Sequence, residues 1–215
     1  MLNQLKSLAN RLPVLRFLTR GPYLFMVQQA NKPKWRRLAR EAEIRLELGS
    51  GAVTGEGGWT TVDMVGADIR HDLRRGIPLA DNSVEAIYSS HLLEHIPYPQ
   101  LIPFLEECHR VLKPGGTFSV CVPNAGKYIK AYVTGESAMN DLDLHEPGLT
   151  ETGSRIDQVN YIAYMGGIHT YMFDEENLVK TLAKGGFQKA QLRPFDPALD
   201  RAERDYESIY AVATK

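Results

Sequence analysis

Leu46-Glu47-Leu48-Gly49-Ser50-Gly51, followed by Thr60-Thr61-Val62-Asp63, is the stretch on which the fold turns. Ile44–Leu48 is a compact strand candidate running into a glycine turn, and Thr60–Val62 is a second short strand ending at an acid. A glycine turn at the C-terminal end of a strand lets a ligand approach the backbone where a Cβ would intrude. An acid at the end of the next strand is placed to accept both hydroxyl hydrogens of a ribose. Together the turn and Asp63 favour an adenosine-containing ligand.

Outward from this core the chain alternates. Val84–Tyr88 reads as a strand, introduced by the turn signal Asp81-Asn82-Ser83. Residues 91–112 form a broken helical region whose later part places Leu101, Leu105, Cys108 and Leu112 on one stripe. Lys113-Pro114-Gly115-Gly116 stops it, and Phe118–Val122 is a strand apolar on both faces. Residues 124–153 carry few periodic signals and read as a crossing of the sheet edge. Helices are predicted over 155–164 and Glu175–Lys184, the latter closed by Gly185-Gly186. Phe187–Leu192 and Ser208–Ala213 are the last two strands. Strands alternating with helices predict a mostly parallel α/β sheet.

At 215 residues the chain is long enough for one sizeable core. No run approaches the roughly 20 apolar residues of a membrane span, and the N-terminus lacks the pattern of a secretory signal. Two cysteines, Cys108 and Cys121, are too few for a disulfide framework or a cysteine-built metal site, so a cytoplasmic location is expected. The net charge of −1 hides an uneven distribution: residues 1–40 hold nine Lys or Arg and no acid, leaving a formal −10 on the remainder. That acidic body argues against nucleic acid as a partner. Residues 1–43 read as a basic helical appendage to a body spanning 44–215, and removal of residues 1–40 is expected to leave that body folded. Its leucine stripe (Leu2, Leu5, Leu8, Leu12) suits packing on the body, a homodimer contact or weak membrane-surface binding.

A nicotinamide dinucleotide is the first competitor for the glycine turn. Its fingerprint requires G-x-G-x-x-G at a helix start and an acid about 20 residues on. Here Asp63 follows Gly49 by only 14 residues, and glycines at 55, 57 and 58 make 52–58 a poor helix. Without a helix N-terminus to meet a pyrophosphate, a ligand lacking phosphate suits the turn better.

The chain resembles the class I S-adenosylmethionine-dependent methyltransferases, and more narrowly the small methyltransferase type 11-like proteins associated with bacterial glycan genes. The resemblance rests on the two stretches above, on His71-Asp72-Leu73, on Ile77-Pro78-Leu79-Ala80-Asp81-Asn82-Ser83-Val84 and on Ser89-Ser90-His91-Leu92-Leu93-Glu94-His95. It continues through Arg110-Val111-Leu112-Lys113-Pro114-Gly115-Gly116, Met172-Phe173-Asp174 and Gly185-Gly186-Phe187. It implies a Rossmann-like three-layer sandwich with a seven-stranded, mostly parallel sheet of order 3-2-1-4-5-7-6 and an antiparallel last strand. The implied cofactor is S-adenosylmethionine. Glu47, Gly49, Ser50 and Gly51 would line its methionine side, Asp63 with Met64 its ribose, Asp72 and Leu73 its adenine, and Ser90 and His91 its sulfonium end. The implied acceptor is a small molecule or a glycan precursor.

Methyl transfer needs a base only where the acceptor must lose a proton, and histidine can serve near neutral pH. His91, His169 and Tyr171 are the catalytic candidates, with His145 a weaker one. Residues 124–170 form the expected acceptor lid, supplying Tyr128, Tyr132, Tyr161 and Tyr164, with Asn124 as a polar contact at its mouth. His91-Leu92-Leu93-Glu94-His95 has a spacing that can place two metal-binding histidines one helical turn apart. Pro97 and Pro99 are expected to close that helix at once and no third ligand is identifiable, so no metal site is assigned; His95 reads as a structural contact. The competing functional class is a binding or regulatory protein that retains the fold, expected if Tyr171 or its neighbours block the cleft.

Overall fold

A computed structural model of the chain describes residues 26–27, 29–136, 138 and 152–215. Expectations placed on the leucines before residue 26, and on His145, lie outside the described residues. Seven strands form one sheet: β1 Arg45–Leu48, β2 Trp59–Asp63, β3 Ile69–Arg70, β4 Val84–Ser90, β5 Leu112–Pro123, β6 Lys189–Leu192 and β7 Ser208–Thr214. Their order is β3-β2-β1-β4-β5-β7-β6. β7 runs antiparallel to both its neighbours, and the other pairings are parallel. The order and the antiparallel strand are those the resemblance implies.

The central strands are buried because helices cover them. Leu46, Leu48, Val62, Ile87, Phe118 and Val120 are inaccessible to solvent. Helix α2 (Tyr98–Val111) buries Leu101, Phe104, Leu105, Cys108 and Val111, and packs beside α5 (Glu175–Lys184), which buries Leu178 and Leu182. Gly185 allows this approach, since a Cβ there would fall 2.4 Å from that of Leu105. Pro97 is the N-cap of α2 and Pro99 lies in its first turn, so these prolines open a helix instead of closing one. As expected, residues 52–58 form no helix.

Three elements differ from the sequence expectations. β3 was not anticipated, because two residues carry no periodicity. β4 continues through Ser90, two residues beyond the expected end, since Ser89 and Ser90 pair with Val120 and Cys121. Residues 125–134, read as irregular, form helix α3 (Ala125–Thr134). Asn124 caps it, accepting from the Lys127 N–H at 3.2 Å. Helix α4 (Arg155–Tyr164) has the predicted bounds and packs on α3, with Tyr128 and Tyr161 stacked 6.3 Å apart in a small second core. These two rings are buried; Tyr132 and Tyr164 are exposed. Among the described residues no helix is long and apolar enough to cross a membrane.

The helical backbone over residues 29–38, α1, belongs to the main core. Trp35 and Leu38 are each 4% exposed and cluster with the buried residues of the sheet. Trp35 meets His71 edge-on at 5.4 Å, and the His71 Nε2 lies 2.7 Å from the Gly76 carbonyl oxygen. This part of the leading segment is therefore core that the body needs, and removing residues 1–40 would strip it away.

Trp35→Ala is expected to cost about 3–5 kcal/mol in urea unfolding, the range for losing a buried large aromatic. Burial depresses the His71 pKa, partly offset by the Gly76 carbonyl and Asp72. A proton then prefers the unfolded chain, so this stabilisation is present above about pH 6.5 and lost as pH falls through the lower folded value. A His71→Gln variant should show a shallower loss of stability below that pH in unfolding titrations.

Candidate functional site

The site begins where β1 ends. The Gly49 N–H donates to the Val62 carbonyl at 2.8 Å, which carries the turn across to β2. Gly49 has φ +76°, and a Cβ there would lie 2.8 Å from the Leu92 side chain. Both its conformation and its neighbour require glycine. Gly51 also has positive φ, +67°, but the space its Cβ would enter is open. That opening is where a ligand can approach the backbone.

Asp63 closes the other side. Its Oδ2 accepts from the Gly51 N–H at 3.0 Å and its Oδ1 from the Val65 N–H at 2.9 Å. Each oxygen retains a further lone pair, so the aimed carboxylate can accept from a diol as well. Glu47, Gly49, Ser50, Gly51, Asp63, Ser90 and His91 together line one cleft of about 270 Å³. These seven are among the ten cofactor contacts that the resemblance implies.

Five other predicted residues are not among those lining the cleft. Asp72 caps a short turn and is held by Arg74, which donates from Nε and Nη2 at 2.8 Å each. Burial alone would raise its pKa, but the Arg74 contacts bring it below the usual range. Leu73 is part of the main core, and the Met64 carbonyl accepts from Arg70 Nε at 3.3 Å. Tyr171 stacks on Tyr98 at 5.3 Å and its hydroxyl accepts from Asn177 Nδ2 at 3.1 Å. His169 is 5% exposed, with Nδ1 2.8 Å from the Ile162 carbonyl oxygen, and burial lowers its pKa. His169 and Tyr171 thus have partners in their own surroundings and are not among the residues lining the cleft.

The cleft also holds Leu92, His95, Arg201 and Arg204, which the sequence reading missed or read as structural. Arg201 lies 3.8 Å from Glu47. Burial raises the Glu47 pKa, and the charges of Arg201 and Arg204 oppose that rise. The arginines are brought in by an anchor upstream. Asp200 is buried and receives Arg193 Nη1 and Nη2 at 2.5 and 2.7 Å, with the Tyr88 hydroxyl at 3.1 Å. In sequence, Asp200-Arg201-Ala202-Glu203-Arg204-Asp205 looks like a solvated charge run, so no local signal separates it from ordinary surface.

His91 follows β4 directly, with φ 52°. Its Nε2 is 2.9 Å from Ser208 Oγ and its Nδ1 is 3.7 Å from Glu94 Oε1. His91 and His95 do not share a helix; only His95 lies in the short turn Leu93–His95. Glu94 is 2% exposed, neither of its carboxylate oxygens has a hydrogen-bond donor, and burial pushes its pKa up to about 8.

Residues 35–120 match a family described as a methyltransferase domain. A probable S-adenosylmethionine-dependent methyltransferase of Mycolicibacterium smegmatis is 36% identical over 84 residues, covering 39% of this chain and 32% of that protein. The match thus spans about a third of the relative's length. With the sheet order, these findings decide the architecture. The chain has the class I methyltransferase fold.

Among solved structures of this fold, a SAM-dependent methyltransferase from Archaeoglobus fulgidus is 13% identical (TM-score 0.49), covering 88% of this chain and 94% of that one. A possible histamine N-methyltransferase from Thermotoga maritima is 15% identical (TM-score 0.47), covering 93% and 97%. The cofactor of the class I methyltransferase fold is S-adenosylmethionine. The residues present fit it: an unobstructed backbone at Gly51, a carboxylate with lone pairs to spare at Asp63, and no helix start aimed at a phosphate.

Gly49→Ala should destabilise the fold by about 2–4 kcal/mol, combining a left-handed backbone with overpacking against Leu92. Adding Leu92→Ala should recover the overpacking part alone, measurable as a double-mutant cycle in urea unfolding.

Proposed function

We propose that this protein transfers a methyl group from S-adenosylmethionine to a small-molecule or glycan-precursor acceptor. The observation that carries the reading is the pairing of the Gly49–Gly51 turn with the Asp63 carboxylate across one cleft. Asp63 would accept both ribose hydroxyls. Arg201 and Arg204, facing Glu47, would neutralise the carboxylate at the methionine end while Glu47 accepts from its amine. Ser90 and His91 would form the wall beside the sulfonium.

When bound, the cofactor supplies an activated methyl group, and its C–S bond breaks with the electron pair kept by sulfur as the acceptor's lone pair forms the new bond. The protein's share is alignment and exclusion of water. His91 is held by Ser208 and faces Glu94, so it serves as a fixed wall, whereas His95 is the more open imidazole at the acceptor end. The region 124–170 is the proposed acceptor lid, its described end docking through Thr170 and Tyr171, whose N–H groups donate to the Glu94 carbonyl at 2.7 and 3.2 Å. The glycan preference rests on the family resemblance. The non-catalytic alternative loses its structural motive, because Tyr171 is stacked on Tyr98 and is not among the residues lining the cleft.

Calorimetric titration with S-adenosylhomocysteine should show one site per chain, and NAD should not bind. Asp63→Ala should weaken S-adenosylhomocysteine binding at least about 10-fold, corresponding to roughly 1.4 kcal/mol for the lost diol contacts. Unchanged affinity in that variant, or preference for NAD, would remove the assignment.

A further inference from the structure

Beside the acceptor end of the cleft lies a group of side chains that adenosine binding does not use. Glu94, His95 and His169 each offer one ligand atom, and these atoms lie within 4.8 Å of one another. The fold assembles them deliberately: the Thr170 N–H, the Tyr171 N–H and the Thr170 hydroxyl all donate to the Glu94 carbonyl. That clamp carries His169 against His95, their rings 5.0 Å apart.

The hydrogen positions follow from the partners. His95 Nδ1 is 2.9 Å from the Ile168 carbonyl oxygen, and His169 Nδ1 is 2.8 Å from that of Ile162. A carbonyl oxygen only accepts, so each Nδ1 bears the hydrogen, and the Nε2 of each neutral ring presents a lone pair. His95 Nε2 is 3.8 Å from Glu94 Oε1, too far for a hydrogen bond. Both Glu94 oxygens are buried with no donor, a costly arrangement for a carboxylate. Two imidazoles therefore converge beside a buried carboxyl group that has no hydrogen-bond partner.

We infer that Glu94, His95 and His169 form a binding site for one divalent first-row transition ion. Two imidazoles and a carboxylate, each histidine fixed through its other nitrogen by a backbone carbonyl, suit Zn²⁺, Co²⁺ or Fe²⁺ better than Mg²⁺ or Ca²⁺. Ligand atoms around a tetrahedral ion at about 2.1 Å stand about 3.4 Å apart, so binding an ion would draw the three side chains closer together. His95 also lines the cleft and its side chain is 36% exposed, which leaves an open coordination position facing the acceptor. Resting on the methyl-transfer reading, this position assigns the acceptor class: a hydroxyl-bearing molecule whose oxygen is held and acidified by the ion. The third ligand is not legible in the chain, because His169 stands 74 residues beyond His95.

The test uses untagged full-length protein, stripped with a chelator and titrated with Co²⁺. One equivalent should produce visible d–d absorption, displaced by one equivalent of Zn²⁺ but not by Mg²⁺. Glu94→Gln and His169→Asn should each weaken Co²⁺ binding at least 10-fold while retaining wild-type affinity for S-adenosylhomocysteine, which reports folding. If either variant fails to fold, His95→Asn, altered on the more open side, provides the same comparison. No saturable Co²⁺ binding to the wild-type chain, or unchanged binding in the folded variants, overturns the site. Co²⁺ binding without S-adenosylhomocysteine binding would leave the metal site standing and remove the methyl-transfer reading; the reverse result would do the opposite.

Discussion

The hydrogen bond from the Gly51 N–H to the Asp63 carboxylate is the contact on which the cleft depends. It joins the ends of two parallel strands whose registers are set by the sheet, and it fixes the carboxylate and the glycine turn as one surface. Neither half would be organised alone. The turn needs positive φ at Gly49 and Gly51, and the acid needs a second donor, the Val65 N–H, to hold its rotamer. The residues that follow form no helix, and among the described residues a Cβ at Gly51 would meet no neighbour.

The charges around that surface are arranged in opposed pairs. At the methionine end, the partly buried Glu47 is balanced by Arg201 and Arg204, which arrive from a distant segment anchored through the buried Arg193–Asp200 pair. At the acceptor end Glu94 is buried with no hydrogen-bond donor on either oxygen, and the charge of Arg204 opposes the rise in pKa that burial causes.

Much of the fold was legible in the chain. The strands that end at Gly49 and Asp63 announce themselves by β-branched and apolar residues running into glycine or acid, and helices α4 and α5 have the bounds that their patterns predict. The sheet order came from the resemblance, since periodicity alone does not order strands. What escaped detection was short or weakly patterned: the two-residue β3, and α3, whose lysines and exposed valine blur its apolar face. Trp35 was misplaced because the basic composition around it masks a single buried ring. Asp72, Leu73, Met64, His169 and Tyr171 are where the motifs put them along the chain, but they are not among the residues lining the cleft.

The sequence by itself determined the α/β alternation, the glycine turn and the acid that faces it, because each is a matter of local backbone freedom and spacing. Only the tertiary structure decided that Arg201 and Arg204 line the cleft with Glu47 and that His169 meets Glu94 and His95. Those meetings depend on loops returning over the sheet from far along the chain. They are held there by buried ion pairs and backbone hydrogen bonds whose partners no local pattern can name.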